Sequence, residues 1–202
     1  MRTPLLLLPL LAVLPLCAQS YEVGLFVGRQ SYPSINYSDP IFGGLNQTEK
    51  AKAVGALRLG YSLVAVGPVL LQATASYQPK ADSTLTTSSP QGGPQSITQP
   101  FNSSHYAVGA MANLKAVVAV GAGLEYRFET VANDVATTHF GRPWARVNAG
   151  YAFPTPILKP FVGVELDVPL TTKTLAANFD ESDYLQAMAP KLEIGLYGGI
   201  RF

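Results

Sequence analysis

The stretch that decides the fold is residues 105–129, which reads HYAVGAMANLKAVVAVGAGLEYRFE. Apolar or aromatic residues occupy alternate positions, with glycine, small or polar residues between them, and the alternation is interrupted once, around Lys115. A period of two predicts β-strands with one apolar face. The interruption is so short that the two strands must be joined by a tight turn.

The same alternation occurs elsewhere in the chain, whereas no helical period of 3.6 persists after the first twenty residues. Eight segments are predicted as strands, and together with their connections they account for residues 20–202. In chain order they are residues 20–30, 51–63, 69–78, 105–115, 118–129, 144–153, 162–168 and 191–202.

The connections between these segments alternate in length. Four are long, and the others have only a few residues, as around Gly67 and Pro68. Long loops on one side and short turns on the other are typical of outer-membrane barrels. The second long connection is rich in polar residues, Gly and Pro, so we expect it to face water without a packed core. The long connections are residues 31–50, 79–104, 130–141 and 171–190.

The apolar face of the predicted strands is aliphatic in the middle and aromatic towards both ends. Each outward stretch has about 9 to 11 residues, the length that a tilted strand needs to cross the hydrocarbon. Aromatic rings prefer the membrane interfaces, so two girdles are predicted. We take the end of the barrel with the N-terminus and the short turns as the inner, periplasmic end, and the end with the long connections as the outer end. The inner girdle is then Tyr21, Tyr61, Tyr151, Phe153 and Phe202, and the outer girdle is Tyr77, Tyr106, Tyr126 and Phe128.

The opposite face carries glycines, small polar residues and charges of both signs. Inside a narrow barrel these charges must pair, because an unpaired buried charge is costly. Trp144 and Phe26 lie on the same face and are expected to fill the interior. The predicted lumen network is Glu22, Arg58, Glu125, Arg127, Glu129, Arg146, Glu165, Asp167, Lys191, Glu193 and Arg201.

An open sheet in lipid would leave edge amides and carbonyls without partners, so the first strand is expected to pair with the last. The predicted fold class is all-β: a closed, eight-stranded, antiparallel transmembrane β-barrel with up-and-down topology.

Residues 1–20 read MRTPLLLLPLLAVLPLCAQS, with one basic residue, an apolar run and small residues before Gln19. This pattern predicts a signal peptide over residues 1–18, followed by a barrel domain over residues 19–202. Lipidation of Cys17 is an open alternative. After cleavage behind Ala18 the mature chain would contain no cysteine, and hence neither a disulfide nor a catalytic thiolate.

The composition argues against several functions. Without Arg2 the chain would carry 13 basic and 13 acidic residues, so nucleic-acid binding gets no support. The two histidines, His105 and His139, are too few for a typical metal site, and no cofactor motif is present. His105 follows Ser103 and Ser104, a pattern similar to that of some lipid-modifying outer-membrane enzymes, but no third catalytic partner is marked.

The C-terminal residues 192–202 read LEIGLYGGIRF. With Leu196, Ile200 and the terminal Phe202, they look like the signal read by the barrel-assembly machinery, although Gly198 departs from it. Over residues 20–202 the chain resembles the small eight-stranded outer-membrane proteins, the group containing the OmpA transmembrane domain and OmpX. The resemblance implies export to the outer membrane of a Gram-negative bacterium, contact with lipopolysaccharide, and a monomer.

The functional prediction is a structural or loop-mediated interaction role at the cell surface, without enzymatic activity. The alternative is a narrow, porin-like channel for ions or small solutes, and a lipid-modifying enzyme is a third hypothesis. For the channel, the residues to test are Arg58, Glu125, Arg127, Arg146, Glu165 and Glu193.

Overall fold

A computed structural model describes residues 21–39, 43–49, 52–88, 97–114, 118–155, 157–175 and 179–202. The predicted signal peptide and Lys115 lie outside these residues. The described elements are β1 Tyr21–Ser31, β2 Ile35–Asp39, β3 Gly43–Glu49, β4 Lys52–Val66, β5 Val69–Ser88, β6 Ile97–Leu114, β7 Val118–Asn133, β8 Thr137–Ala152, β9 Lys159–Pro169, α1 Glu181–Ala187 and β10 Leu192–Arg201.

Eight of the strands close into a barrel. Around the wall their order is β1, β4, β5, β6, β7, β8, β9 and β10, and every neighbouring pair is antiparallel. Strand β1 then pairs with β10, from Glu22 opposite Arg201 to Ser31 opposite Leu192. The predicted closed, eight-stranded, up-and-down barrel is therefore confirmed.

The two faces of the wall differ as the alternation predicts. Along β1, the outward Leu25 is 62% exposed, whereas the neighbouring Phe26 is 1% exposed and points inside. The same alternation of exposed and buried residues occurs on β4 and β7. The exposed face carries Val, Leu, Ile and aromatic side chains around the whole barrel.

The turn between β4 and β5 shows why a short connection suffices at the inner end. Val66 pairs with Val69, so only Gly67 and Pro68 form the loop. Gly67 has φ +57°. Two-residue hairpin turns whose twist matches the strands require positive φ at the first central position, where glycine has no steric penalty.

The connections at the outer end contain more structure than the sequence predicts. Within 31–50 the chain forms β2 and β3, and within 79–104 it continues β5 to Ser88 and β6 from Ile97. Strand β3 pairs with the far end of β5. A sheet in the order β2, β3, β5, β6 thus projects beyond the barrel. The strands predicted around these connections were too short, because the outer segments have few apolar residues and hence a weak period of two, although the Thr-rich end of β5 favours β-structure.

The fourth long connection also has structure. It contains α1, which begins after Asp180, whose side chain accepts a hydrogen bond at 2.8 Å from the backbone N–H of Asp183. This is an N-cap, which satisfies one of the amides that a helix leaves unpaired. Among the described residues, no helix is long and apolar enough to cross a bilayer.

Candidate functional site

Arg127 on β7 lies at the centre of the barrel interior and is 0% exposed. Its Nη2 donates to Oδ2 of Asp167 at 2.5 Å, its Nη1 lies 2.8 Å from Oε2 of Glu193, and its Nε donates to Glu125. Its guanidinium carbon lies 3.9 Å from the centroid of the Trp144 ring. Three carboxylates and one aromatic face therefore surround a single buried cation.

Two further arginines complete this central tier. Arg146 on β8 donates to Glu125, and its Nε lies 3.6 Å from Oδ1 of Asp167. Arg58 on β4 donates through Nη2 to Glu165 at 2.7 Å and to Asp167 at 3.0 Å. Asp167 thus contacts three arginines. Buried charges are tolerated only when they are paired with opposite charges, and each charged side chain of this tier has at least one ion-pair partner.

An outer tier lies above the central one. Arg142 on β8 holds both carboxylate oxygens of Glu129, from Nε at 2.7 Å and from Nη2 at 2.9 Å. The indole N–H of Trp144 donates to Oε1 of Glu129 at 2.7 Å. Arg142 Nη2 also donates to the carbonyl of Pro190 at 2.5 Å. This tier joins the barrel wall to the segment between α1 and β10.

An uncharged chain of hydrogen bonds runs from the central tier to the outer mouth. Glu193 accepts from Gln30 Nε2 at 2.7 Å, and Gln30 Oε1 accepts from Tyr32 at 2.8 Å and from Ser103 at 3.0 Å. Tyr32 is also part of an apolar cluster, so the polar interior passes directly into an apolar layer.

That apolar layer closes the outer mouth, and we name it the outer cap. Helix α1 is held against the barrel by a 2.8 Å hydrogen bond between Ser182 and Thr138, and by Asn133, which donates to Glu181 at 2.7 Å. The remaining members of the cap come from the outer ends of strands and their connections. The buried residues of the cap are Tyr32, Phe101, Val131, Tyr184, Leu185, Met188 and Ala189.

The inner end is more open. Arg201 donates to Oε2 of Glu22 from Nη2 at 2.5 Å and from Nε at 3.1 Å, and both side chains are partly exposed. Gln72 and Asn113 extend this inner tier. Between the inner and central tiers lies a cavity of about 40 Å³, lined by both apolar and polar side chains. Since one water needs about 10–15 Å³, this space holds only a few waters.

Glycines on the inner face give the aromatic side chains their space. A Cβ on Gly28 would come within 2.5 Å of the Phe26 ring, and one on Gly195 within 2.9 Å. The ring of Phe26 therefore packs against two glycines, and the guanidinium carbon of Arg58 lies 5.1 Å from its centroid. Glycine is needed here for close approach, while the two strands remain regular.

Most of the predicted lumen network lies inside the wall. The structure brings Arg58, Glu125, Arg127, Arg146, Glu165, Asp167 and Glu193 together in the central tier, places Glu129 in the outer tier and Glu22 with Arg201 in the inner tier. Lys191 differs: it is exposed, immediately before β10. The expectation for Lys191 was wrong because the inward alternation starts only with the strand itself.

Sequence reasoning missed Arg142 and Gln30. Arg142 lies two residues before Trp144 and therefore on the same face, but strand six was predicted to start at Trp144, whereas β8 begins at Thr137. Gln30 closes the predicted first strand on its inward face and is 1% exposed. In both cases the period of two, carried one step further, would have found the residue.

The predicted girdle residues lie at the two ends of the outer face. At the inner end the Tyr21 ring lies 5.2 Å from Tyr61 and 6.0 Å from Phe202. At the outer end Tyr106 stacks on Phe128 at 4.8 Å. The other members of the two sets are Tyr151 and Phe153 at the inner end, and Tyr77 and Tyr126 at the outer end. Contact of these rings with the membrane interface stays a prediction.

The Ser and His candidates for catalysis are separated by the wall. His105 is buried and points into the interior, as does Ser103, whose hydroxyl is engaged with Gln30. Ser104, between them in the chain, lies on the opposite face. No group of three potential metal-ligating side chains occurs in the described part of the chain.

No protein-family model matches the chain, and no curated protein matches it. Among solved structures, it is similar to the crystal structure of Ail, the attachment invasion locus protein of Yersinia pestis, with 12% identity over 92% of this chain and 100% of that chain and a TM-score of 0.40. A second Ail crystal structure, in complex with the heparin analogue sucrose octasulfate, has the same identity and coverage and a TM-score of 0.43. At 12% identity neither similarity bears on function.

The two faces of the barrel wall indicate which solvent surrounds the barrel. Its exterior is apolar around the barrel, its interior is ionic, and closure leaves no strand edge in the wall. An exterior of this kind is more stable in contact with lipid than in contact with water, because a contiguous apolar surface is costly to hydrate. Closed barrels are the β-architecture that satisfies its backbone in a bilayer. The described chain therefore has the fold of a small, closed, eight-stranded transmembrane β-barrel.

Proposed function

We propose that the protein is a closed barrel that holds a binding surface at the cell exterior. The observation that carries this proposal is the sheet of β2, β3 and the outer parts of β5 and β6, which extends past the point where β6 leaves β7. A rigid barrel positions it, and surface-borne segments are where binding specificity usually resides.

The projecting sheet is suited to binding because of its free edges. Strand β2 pairs with β3 and ends the sheet order, and the pairing of β6 with β7 begins only at Phe101. Within the described residues, the outer sides of β2 and of residues 97–100 therefore have no neighbouring strand. Such an edge accepts an extended segment of another chain by main-chain hydrogen bonds.

Shortening the projecting sheet should remove binding without removing the barrel. In the test variant, residues 83–100 are replaced by a two-residue turn. We expect cells that display this variant to attach to immobilised proteins or polysaccharides at least tenfold less than cells that display the parent. Attachment is measured on arrays. The barrel should remain folded, because the pairing of β5 with β6 inside the wall ends near Gln78 and His105 and is not touched by the deletion.

In a matched control, two foreign residues are inserted at Gly67, in the inner turn between β4 and β5. This variant should keep the attachment of the parent. Folding of all three proteins is checked by their heat-modifiable migration on gels. Equal attachment by the parent and the shortened protein, with both folded, would refute the proposal.

The filled interior argues against the channel alternative. The central tier and the outer cap occupy the cross-section, and the cavity of about 40 Å³ lies on the inner side only. In planar bilayers we therefore expect no stable ohmic steps from the purified barrel. Steps that change in size with Glu22→Gln, a partly exposed lumen position, would instead support a pore.

The remaining parts of the proposal concern export, assembly and partners. The leader over residues 1–18 would direct export, and Leu196, Ile200 and Phe202 would be read by the barrel-assembly machinery. The apolar exterior would contact outer-membrane lipid and lipopolysaccharide, with the protein as a monomer. We propose a role without enzymatic activity, since Ser103 and His105 point into the interior, away from Ser104 on the opposite face.

A further inference from the structure

The central tier contains more buried acidic than basic side chains. In the part of the chain that the structure describes, three guanidinium groups of this tier face four carboxylates, and none of the seven residues is more than 6% exposed. The outer and inner tiers each add one matched pair and leave the excess unchanged. An uncompensated buried charge is costly, so the tier needs one further positive charge. The seven residues are Arg58, Arg127, Arg146, Glu125, Glu165, Asp167 and Glu193.

The ion pairs identify the carboxylate with the weakest compensation. Asp167 contacts three arginines, and Glu125 and Glu165 contact two each. Within the described residues, Glu193 contacts only Arg127, at 2.8 Å. Arg127 is itself shared with Asp167 and Glu125. Of the four carboxylates, Glu193 is therefore the one whose negative charge is least offset by its neighbours.

One oxygen of Glu193 is free to carry a proton. Its Oε1 accepts a hydrogen bond from Gln30 Nε2 at 2.7 Å. Its Oε2 lies close to Arg127 but makes no hydrogen bond to a described residue, and the same is true of Oδ1 of Asp167. Glu193 lies directly opposite Asp167 in the ladder of β9 and β10. Opposite side chains have Cβ atoms about 4.5–5.5 Å apart, so the two carboxyl groups are neighbours.

His105 on β6 is the second candidate for a proton. It is 4% exposed, and its Nε2 has no hydrogen-bond partner among the described residues. An imidazolium donates through both nitrogens, so a charged His105 would bury an N–H without an acceptor. The carboxylate opposite it, Glu129, is already held by Arg142 and Trp144. The structure therefore favours the carboxyl pair of the central tier as the place for the compensating proton.

We propose that the folded barrel binds one proton in its interior at neutral pH, on the neighbouring carboxyl groups of Glu193 and Asp167, with Glu193 as its main position. The proton leaves three negative charges in the tier opposite three positive ones. A glutamate in the unfolded chain is ionised at neutral pH, so folding takes up this proton and unfolding releases it. The inference does not depend on the proposed function. The charged groups that face the pair are Arg127 and Glu125 from β7, Arg58 from β4, Arg146 from β8 and Glu165 from β9.

Infrared spectroscopy of the full barrel, folded in a detergent without carbonyl groups, detects the proton directly. The C=O stretch of a protonated carboxyl group lies above the amide and carboxylate bands, and we expect this band in the parent at pH 7. It should be absent from the Glu193→Gln variant, whose amide replaces the neutral acid. It should persist in the matched Glu22→Gln variant, because Glu22 is a partly exposed carboxylate paired with Arg201. Heat-modifiable migration on gels shows that each protein is folded.

The pH dependence of unfolding is a second readout. The folded parent binds one proton more than its unfolded chain, so its stability should fall as the pH rises. Relative to the Glu193→Gln variant, the unfolding constant of the parent should increase about tenfold per pH unit between about pH 5 and pH 7. Urea titrations at several pH values measure this difference. The Glu22→Gln variant should keep the pH dependence of the parent.

Three results would each overturn the proposal: a folded parent without the protonated carboxyl band, a band that persists in the Glu193→Gln variant, and equal pH dependence of the parent and this variant. A missing band would assign the compensating charge to His105 or to a bound cation. Replacing sodium and potassium by choline tests the cation, because a metal ion bound only by the folded barrel would make the unfolding constant depend on its concentration. Such a dependence would also contradict the proposal.

Discussion

Substituting Arg127→Met is expected to destabilise the folded barrel by about 3–5 kcal/mol. The guanidinium contacts Glu125, Asp167 and Glu193, and all four side chains are almost completely buried. Removing the cation while the carboxylates remain leaves buried negative charges with too few partners. Breaking one partner of such a network costs more than the network itself contributes, because the desolvation of the remaining charges is no longer offset.

The free energy of unfolding is measured by urea titration, and the chain supplies its own probe. Trp144 is the only tryptophan, and Arg127 lies against its ring. A matched control is Lys80→Met, which removes a cation from an exposed pair and should change the stability by less than about 1 kcal/mol.

Neutral partners should rescue the loss at Arg127. When Asp167→Asn and Glu193→Gln are combined with Arg127→Met, the destabilisation should be smaller than the sum of the separate effects, since the charges that the methionine leaves unpaired are gone. If the destabilisation of the triple variant equals the sum of the separate effects, or if the Arg127→Met variant is as stable as the parent, the central tier does not act as one network.

The second large effect is expected at the outer cap. Substituting Leu185→Asp places a charge in the buried cluster that α1 forms over the mouth. A buried, unpaired carboxylate costs more than the roughly 2–5 kcal/mol lost when a buried leucine is truncated to alanine. We therefore expect the cap to open while the barrel remains folded, because the ladder hydrogen bonds of the eight strands do not depend on α1.

Hydrogen exchange checks this expectation. Amides of residues 184–189 should lose most of their protection in the Leu185 variant, whereas amides of β7 and β10 should keep theirs. Val135→Asp is the matched control, because Val135 is exposed on a neighbouring outer turn and should tolerate the same charge. Loss of protection throughout the barrel would show instead that the cap and the wall unfold as one unit.

The wall was predictable because its signal is local. In a β-strand the direction of a side chain follows from the position of its own residue, so Leu25, Phe26 and Arg127 could each be assigned to a face from their neighbours alone. The same rule wrongly assigned Lys191 to the interior, because Lys191 lies just before its strand. It did not identify Arg142, because the predicted strand began at Trp144 whereas β8 begins at Thr137.

The outer end was less predictable. Strands β2 and β3 and the outer parts of β5 and β6 are mostly polar, so their few apolar residues form too short an alternation to detect. Helix α1 has seven residues and spans about two turns, which is too short for a helical period to stand out. The buried cluster of the cap contains Tyr32, Phe101 and Leu185, which come from three different predicted connections. A single apolar residue in a polar segment does not predict such a cluster.

By itself, the sequence determined an eight-stranded closed wall, apolar outside and ionic inside, because strand alternation and the need to pair every edge are properties of the chain and its solvent. Only the tertiary structure decided which charges meet. Arg127, Asp167 and Glu193 belong to three different strands, and their relative heights depend on the register around the barrel. Register and closure are collective, so no local pattern specifies them.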